Sequence, residues 1–439
     1  VELDPTRMCA LLVGLPAVTV LGVDDGDGVE ALRVHVETVG DRPVCSGCAG
    51  SVWVKDRPVV ELVDLGCFGR PTRLVWHKRR WACPNGACAV RSWTEDAPAV
   101  APARLGMTDR AGRWVTGQVG RWVTGQVGRW ARSVNEIAVE LGCDWHTIND
   151  SVIAYGTALV DHPARIGDVT AVGLDEVLFA RIGPWRTQAW STQVVGARRG
   201  QLLDVVEGRN AAGPCKWFEK RSKEWRDRIE FATLDLWGPY RLVFNTVLPN
   251  AIQVADPFHV VKLANQKLDE CRRRVQNDTL GHRGHKADPL YRCRRLLTKA
   301  DERIDDKGRT KLLGLLEAGD PNGEVRMAWH AKEVVRSIYT HTDPVLAAEF
   351  VDRLGVDLQD DSCPPEIHQL GRTIIKWKAQ IAAWQQAHVS NGPTEAVNNL
   401  LKRVKRGAFG FTSFRNYRIR TLLYAGKPNW DLLAAITPR

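Results

Sequence analysis

Three acidic residues stand where an unpaired carboxylate is costly. Asp175 lies in the middle of an apolar run, AVGLDEVLFA (171–180), where an ionised group raises the free energy unless it has a partner. Asp235 ends a second apolar run in TLDLWGPY (233–240). Glu395 follows a Gly-Pro turn that opens a basic, helix-compatible segment, SNGPTEAVNNLLKRVKR (390–406). Carboxylates of this kind can share two divalent cations about 3.5–4 Å apart, which activate a nucleophile and stabilise a leaving oxygen. Taken singly, each is equally well an acid in a solvated strand or helix cap. Asp256, in DPFH (256–259), ends a further apolar run and rivals Asp235 for the second position. Asp204 is a weaker competitor, and strand alternation turns Glu176 to the face opposite Asp175.

Two other sets of residues carry chemistry. Cys45-x2-Cys48 and Cys83-x4-Cys88 each present two thiolates to one edge of a tetrahedral site, which implies one structural Zn2+. Pro43, Gly47, Pro84, Asn85 and Gly86 supply the tight turns that such knuckles need. The other cysteines lack ligand-like spacing and read as buried or inert thiols. The stretch RSVNEIAVELGCDWHTINDSVIAYG (132–156) reads as a helix, a sharp turn at Gly142 and a second helix capped by Asp144. Ile137, Ala138, Leu141, Ile148, Val152 and Ile153 would face inward. Trp145, His146 and Asn149 would face outward, able to reach base edges as in a DNA-binding helix-turn-helix; a plain helical hairpin is the alternative.

The acids need a scaffold that brings them together. Strand-like runs at 171–180, 190–197 and 201–208 are followed by a helical segment (211–228), a strand (229–237), a short helix and a strand (251–258). That order is that of a ribonuclease H-like fold, in which the first and fourth strands are neighbours and Asp175 and Asp235 converge. The expected architecture is therefore multidomain α/β. Residues 1–98 form a zinc-binding ribbon module and 105–160 a helix-turn-helix domain. Residues 165–265 form the first part of the ribonuclease H-like core, 266–386 a helical insertion, and 387–439 the completion of the core with a basic C-terminal helix. Residues 95–104 (EDAPAVAPAR) read as a linker. The octapeptide GRWVTGQV occurs at 112–119 and again at 120–127, too short a period for a solenoid.

Composition agrees with an ordinary soluble globular protein of 439 residues. It is 44% hydrophobic and 26% charged, with 61 Lys and Arg against 51 Asp and Glu, a net charge of +10 that favours a polyanionic partner. The apolar stretch from 8 to 23 is broken by Gly14 and Pro16 and is too short to span a bilayer. The acidic residues before it are wrong for a signal peptide, so a cytoplasmic location and no membrane are expected. Eleven cysteines are too few and too unevenly placed for a disulfide scaffold. Residues 267–299 hold ten Lys or Arg against four acids, and 402–420 hold seven and no acid. In the second run Lys402, Arg403, Lys405 and Arg406 are candidate DNA-backbone contacts. Phe409, Phe411 and Phe414 read as core anchors.

GLDEV, DLWGPY, AIQVADPFHVVKLAN (251–265) and SNGPTEAVNNLLKRVKRGAFGF, in this order, resemble the ISL-three family of insertion-sequence transposases across nearly the whole chain. The resemblance implies that Asp175, Asp235 and Glu395 are a DDE triad holding two Mg2+ or Mn2+, with a long insertion between the second and third acids. Asp256 and His259 match the family's aspartate-x-x-histidine element in a supporting role. Double-stranded DNA, both transposon ends and target, would be the partner, bound by a homodimer assembled on the ends. The tandem octapeptide departs from the family pattern. Two rival readings share many of these features: a non-catalytic DNA-binding regulator, and a nuclease that hydrolyses without strand transfer.

Overall fold

The computed structural model describes residues 2–436 except 3, 26–29, 68 and 121–131, so the second octapeptide, apart from its first residue Gly120, lies outside the described residues. It divides into two units, one formed by Val1–Ile166 with Asn399–Arg439, the other by Gly167–Asn398.

The first unit holds two sheets. The apolar stretch at 8–23 folds as a helix, α1 (Pro5–Val13), and a strand, β1 (Val18–Asp24). Strands β2 (Leu32–Thr38), β3 (Trp53–Asp56), β4 (Val59–Cys67), β5 (Arg70–His77), β6 (Arg80–Ala82) and β7 (Ser92–Thr94) follow. One sheet has the order β1-β2-β5-β4, the other β3-β6-β7. The candidate zinc ligands Cys45 and Cys88 pack with Trp81 of the small sheet. The larger sheet has its own core of Val20, Val36, Leu62, Leu74 and Trp76. The stretch read as a linker is packed instead: Val100 and Ala101 are buried in that core, and Glu95 pairs with Arg79 at 2.9 Å.

Helices α2 (Asp109–Gly120), α3 (Val134–Glu140) and α4 (Trp145–Val160) come next. A capping box between Ser133 and Glu136 starts α3, and the Asp144 side chain accepts from Thr147 N at 2.9 Å to start α4. Gly142, at φ +59°, makes the turn between them; a Cβ there would sit 2.9 Å from the Pro71 ring. Ile137, Leu141, Ile148 and Val152 are all buried between these helices and their neighbours.

The second unit is built on five strands, β8 (Ala171–Ile182), β9 (Thr187–Gly196), β10 (Gln201–Glu207), β11 (Phe231–Leu234) and β12 (Ile252–Ala255). Their order is β10-β9-β8-β11-β12. The first three form an antiparallel meander, and β11 runs parallel to both β8 and β12. Between β10 and β12 lie α5 (Ala212–Glu219), α6 (Lys223–Asp227) and α7 (Gly238–Val247).

A helical block follows: α8 (Pro257–Leu280), α9 (Pro289–Leu297), α10 (Asp306–Gly319), α11 (Glu324–Ser337), α12 (Pro344–Asp357), α13 (Pro365–Ala382) and α14 (Trp384–Ala387). Helix α8 packs on α11 and α13, and α13 reaches β12. Part of the basic run in this block is neutralised within it. Arg272 and Arg273 pair with Asp269, and Arg274 bonds Glu366 at 2.8 Å. The division between units falls inside α15 (Gly392–Gly407), and α16 (Phe414–Ala425) belongs to the first. Among the described residues no helix is long and apolar enough to cross a membrane.

Candidate active site and metal centre

Strand register places three aspartates in a row. Gly173 pairs with Thr233 across β8 and β11, and Leu234 pairs with Ala255 across β11 and β12. Extending these parallel registers sets Asp175 beside Asp235 and Asp235 beside Asp256. Both β11 and β12 are shorter than the apolar runs suggest, because their ladders stop one residue before Asp235 and Asp256. Glu395 reaches the same place from the first turn of α15.

Two asparagines that sequence reasoning did not assign tie α15 to this row. Asn391 Nδ2 donates to Asp235 Oδ1 at 3.0 Å, and Asn398 Nδ2 donates to Asp175 Oδ2 at 2.5 Å. Asn391, Glu395 and Asn398 are spaced i, i+4, i+7, which is one helix face, and that spacing was the available signal. The helix sits directly on the strand at Gly173, where a Cβ would lie 2.3 Å from Thr394 Oγ1 and 2.7 Å from Thr233 Oγ1.

His259 stands among the acids. Its Nδ1 is 3.1 Å from both Asp235 Oδ1 and Asp256 Oδ2, and its Nε2 is 3.7 Å from Glu395 Oε1. The fixed start of α8 puts it there, since Asp256 is the N-cap and Pro257 the first helical residue. Burial opposes its charge, but the hydrogen bond to Asp256 and the charges of Asp235 and Glu395 prevail and raise its pKa. Asp256, His259 and Glu395 offer ligand atoms within 4.8 Å of one another, a set able to hold a metal ion. This makes the aspartate-x-x-histidine pair a part of the cluster itself.

The electrostatics are those of crowded anions. Burial, then the charge of Asp235, pushes Asp175 up to about 7, and burial raises Asp235 as well. Tyr240 donates to Glu176 Oε2 at 2.9 Å, which occupies that acid away from the row while adding to the negative field. Among the described residues no Lys or Arg forms an ion pair with Asp175, Asp235, Asp256 or Glu395. Asn398 Oδ1 is buried there without a donor. Carboxylates and an orphaned amide oxygen, with one histidine and two asparagine amides but no Lys or Arg beside them, suit hard divalent cations, so these residues fit Mg2+ or Mn2+. Asp204 is elsewhere, accepting from Trp217 Nε1 at 2.8 Å.

The cysteine pairs also meet. Cys45 Sγ lies 3.7 Å from Cys88 Sγ, and Cys48 Sγ lies 3.6 Å from Cys83 Sγ. Tetrahedral Zn–S bonds of about 2.3 Å require S–S edges of about 3.8 Å, so the four thiols fit zinc. The cradle is tight, since a Cβ on Gly47 would sit 2.8 Å from Cys88 Sγ. The backbone N–H of Gly47 helps hold Cys45 down at about 7. The Asn85 N–H favours the Cys83 thiolate, yet burial and the neighbouring thiols push it up to about 12.

The helix-turn-helix residues divide. Trp145 and His146 are exposed at the start of α4, but Asn149 is buried, contrary to its expected outward position. Its Oδ1 accepts from Asn416 Nδ2 of α16 at 3.0 Å, so tertiary packing claims the side chain. In α15 Lys402, Arg403 and Arg406 are exposed, while Lys405 is half-buried and burial lowers its pKa. Phe409 is no core anchor: it is 96% exposed, at φ +54° in the turn that ends α15.

Residues 172–421, more than half of the chain, match the model of a protein family described as Transposase. Over 289 residues the chain is 26% identical to the transposase for insertion sequence element IS1557 of Mycobacterium tuberculosis, covering 61% of this chain and 63% of that protein. It is 22% identical over 273 residues to the transposase for insertion sequence element IS1001 of Bordetella parapertussis, covering 62% and 64% respectively. A stretch of 63 residues is 43% identical to a Lactococcus lactis protein named ATP-dependent protease, but covers only 14% of this chain.

Proposed function

Because the chain belongs to the ISL-three family of insertion-sequence transposases, we propose that it binds transposon ends and catalyses DNA strand cleavage and strand transfer at Asp175, Asp235 and Glu395. The observation that carries this reading is the row of aspartates beside Glu395, Asp256 buried and Asp175 and Asp235 half-buried, with no Lys or Arg paired to them among the described residues. The strand order, an antiparallel meander followed by two parallel strands on the side of β8, supports a ribonuclease H-like core. On this reading α8 to α14 are the insertion and α15 completes the core. The ribbon of β3, β6 and β7 and the α3–α4 pair serve end binding, and a homodimer assembles on the ends. Its substrate is chromosomal or plasmid DNA in the cytoplasm.

Two divalent ions, when bound, supply activation of the attacking oxygen and stabilisation of the departing one. The protein's own groups prepare that place. Asn391 and Asn398 fix the two aspartates against rotation, and Asp256 fixes the His259 ring. Water first cleaves a phosphodiester at the transposon end and leaves a 3′-hydroxyl. That hydroxyl then attacks a target phosphodiester in line, expelling the target's own 3′-oxygen and passing its proton to solvent. The test is joining of a labelled, pre-cut end to a supercoiled plasmid with Mg2+ or Mn2+. Joined product is expected; hydrolysis alone would favour the nuclease, and binding without any metal-dependent cleavage the regulator.

The buried Asn149 changes what its substitution should do. Asn149→Ala leaves Asn416 unpartnered and is expected to cost about 1–3 kcal/mol of stability, read by thermal unfolding. End selectivity should survive it, and should fall when Trp145 and His146 are both replaced by alanine. Competition binding against unrelated DNA separates the two, and unchanged selectivity in the double variant would remove α4 as the reader.

A further inference from the structure

The hairpin that links β8 and β9 runs past the sheet. Strand β10 pairs with β9 only from Ser191 to Gly196, and β11 pairs with β8 only from Ala171 to Gly173. Gly208, just past β10, still donates to Trp190 O at 2.8 Å, but from Ala180↔Ala189 to Ile182↔Thr187 the two strands have each other alone among the described strands. A two-stranded ribbon in water is marginal and gives the fold little. Its tip, Gly183 to Arg186, is closed by Arg186 N donating to Gly183 O at 3.0 Å.

The tip displays a large ring to solvent. Trp185 is 89% exposed and Ile182 56%. Trp190, farther down the hairpin, is half-buried with the Arg209 guanidinium 5.0 Å above its ring, so exposure is not general to the ribbon's indoles. The charge is one-sided. No acid occurs between Glu176 and Asp204, and Arg181 and Arg186, both exposed, flank Trp185. An exposed indole between two guanidinium groups combines a stacking face with phosphate contacts, the pairing that holds single-stranded nucleic acid. In a duplex the base faces are covered, so the indole needs an unpaired base.

We propose that the β8–β9 hairpin is a DNA-contact element in which Trp185 stacks on an unpaired base near the cleaved end while Arg181 and Arg186 hold the adjoining phosphates. The inference rests on the transposase reading above. It also sets a distance. Seven residues separate Asp175 from Ile182, and at about 3.3 Å per residue the tip stands about 23 Å from the acids along the strand, roughly seven base-pair steps.

The test compares two DNAs bound by the full chain: a blunt duplex, and the same duplex with unpaired thymine tails at one end. The wild type is expected to prefer the tailed DNA roughly ten- to hundredfold. Trp185→Ala should erase that preference and leave blunt-duplex affinity within about twofold, while Trp185→Phe should retain most of it. Replacing Arg181 and Arg186 by alanine should weaken both DNAs alike and lower the salt slope by about two. Equal binding of the two DNAs by the wild type, or a tail preference that persists in Trp185→Ala with unchanged thermal unfolding, would overturn the proposal; the second result would assign the tip to a protein contact. Failure of the wild type to bind blunt duplex at all would overturn the transposase reading itself.

Discussion

Alanine at Asp175, Asp235 or Glu395 is expected to lower metal-dependent end cleavage and joining by roughly a thousandfold or more, about 4 kcal/mol of barrier, with end binding nearly intact. A stability readout separates this role from a structural one. Asp175 has a folded pKa of about 7, well above the usual carboxylate value, because burial and Asp235 oppose its charge. A raised acid pKa means that the unfolded chain gives up the proton first. The metal-free fold therefore loses stability as pH rises from about 4 towards 7, by a few kcal/mol at most, and stays weakened above that. Asp175→Asn should remove this loss, so at pH 8 without metal it should melt above the wild type while being inactive. An acid kept for packing would show the reverse. Asp256→Ala is the control for assignment. It removes one of the two carboxylates at His259 Nδ1 and is expected to cost 10- to 100-fold, as for other groups that orient a metal-site residue. Should it abolish the reaction while Asp235→Ala does not, the second ligand is Asp256. Asp204→Ala should spare the chemistry and cost stability through the lost Trp217 partner.

How legible each feature was depended on how locally it is encoded. The meander from β8 to β10 could be read to within three residues at each end, because long apolar runs and turn residues announce it; the hairpin extension of β8 to Ile182 and of β9 back to Thr187 was not. The ends of β11 and β12 could not, since a ladder that stops at an acid looks like any apolar run followed by a polar residue. The four-stranded sheet of the first unit was missed because its parallel β2–β5 pairing joins residues far apart in sequence, which no short period reveals. The same reason hid Asn149. Its helical position lies beside that of Trp145, and the side chain that claims it, Asn416, is 267 residues away. The acids were legible from chemistry, whereas the place of His259 among them follows from the geometry of the β12–α8 turn. The exposure of Phe409 follows from a helix stop that sequence alone left open.

The other large effect concerns the cysteines, and it follows from how little else holds their ribbon. Strands β3, β6 and β7 are three or four residues long, and their core is Val52 and Trp81 with Cys45 and Cys88, flanked by Val54, Cys83, Val90 and Trp93. The thiols are thus part of the only apolar cluster described for this sheet. A hydrophobic core of that size cannot offset the entropy of ordering the chain around it. Thiolate coordination of zinc, with binding free energies on the order of 10–16 kcal/mol in comparable small sites, can. One zinc per chain is therefore expected by metal analysis. Cys45→Ser and Cys83→Ser should lose it, open residues 42–94 to proteolysis and weaken end binding at least tenfold. The second unit should be unaffected, because its sheet and helices have a core of their own. Its unfolding transition should stay in place when zinc is stripped, so the loss should register as a change confined to the ribbon. A cleanly folded protein free of zinc, with the ribbon still resistant to protease, would end the idea.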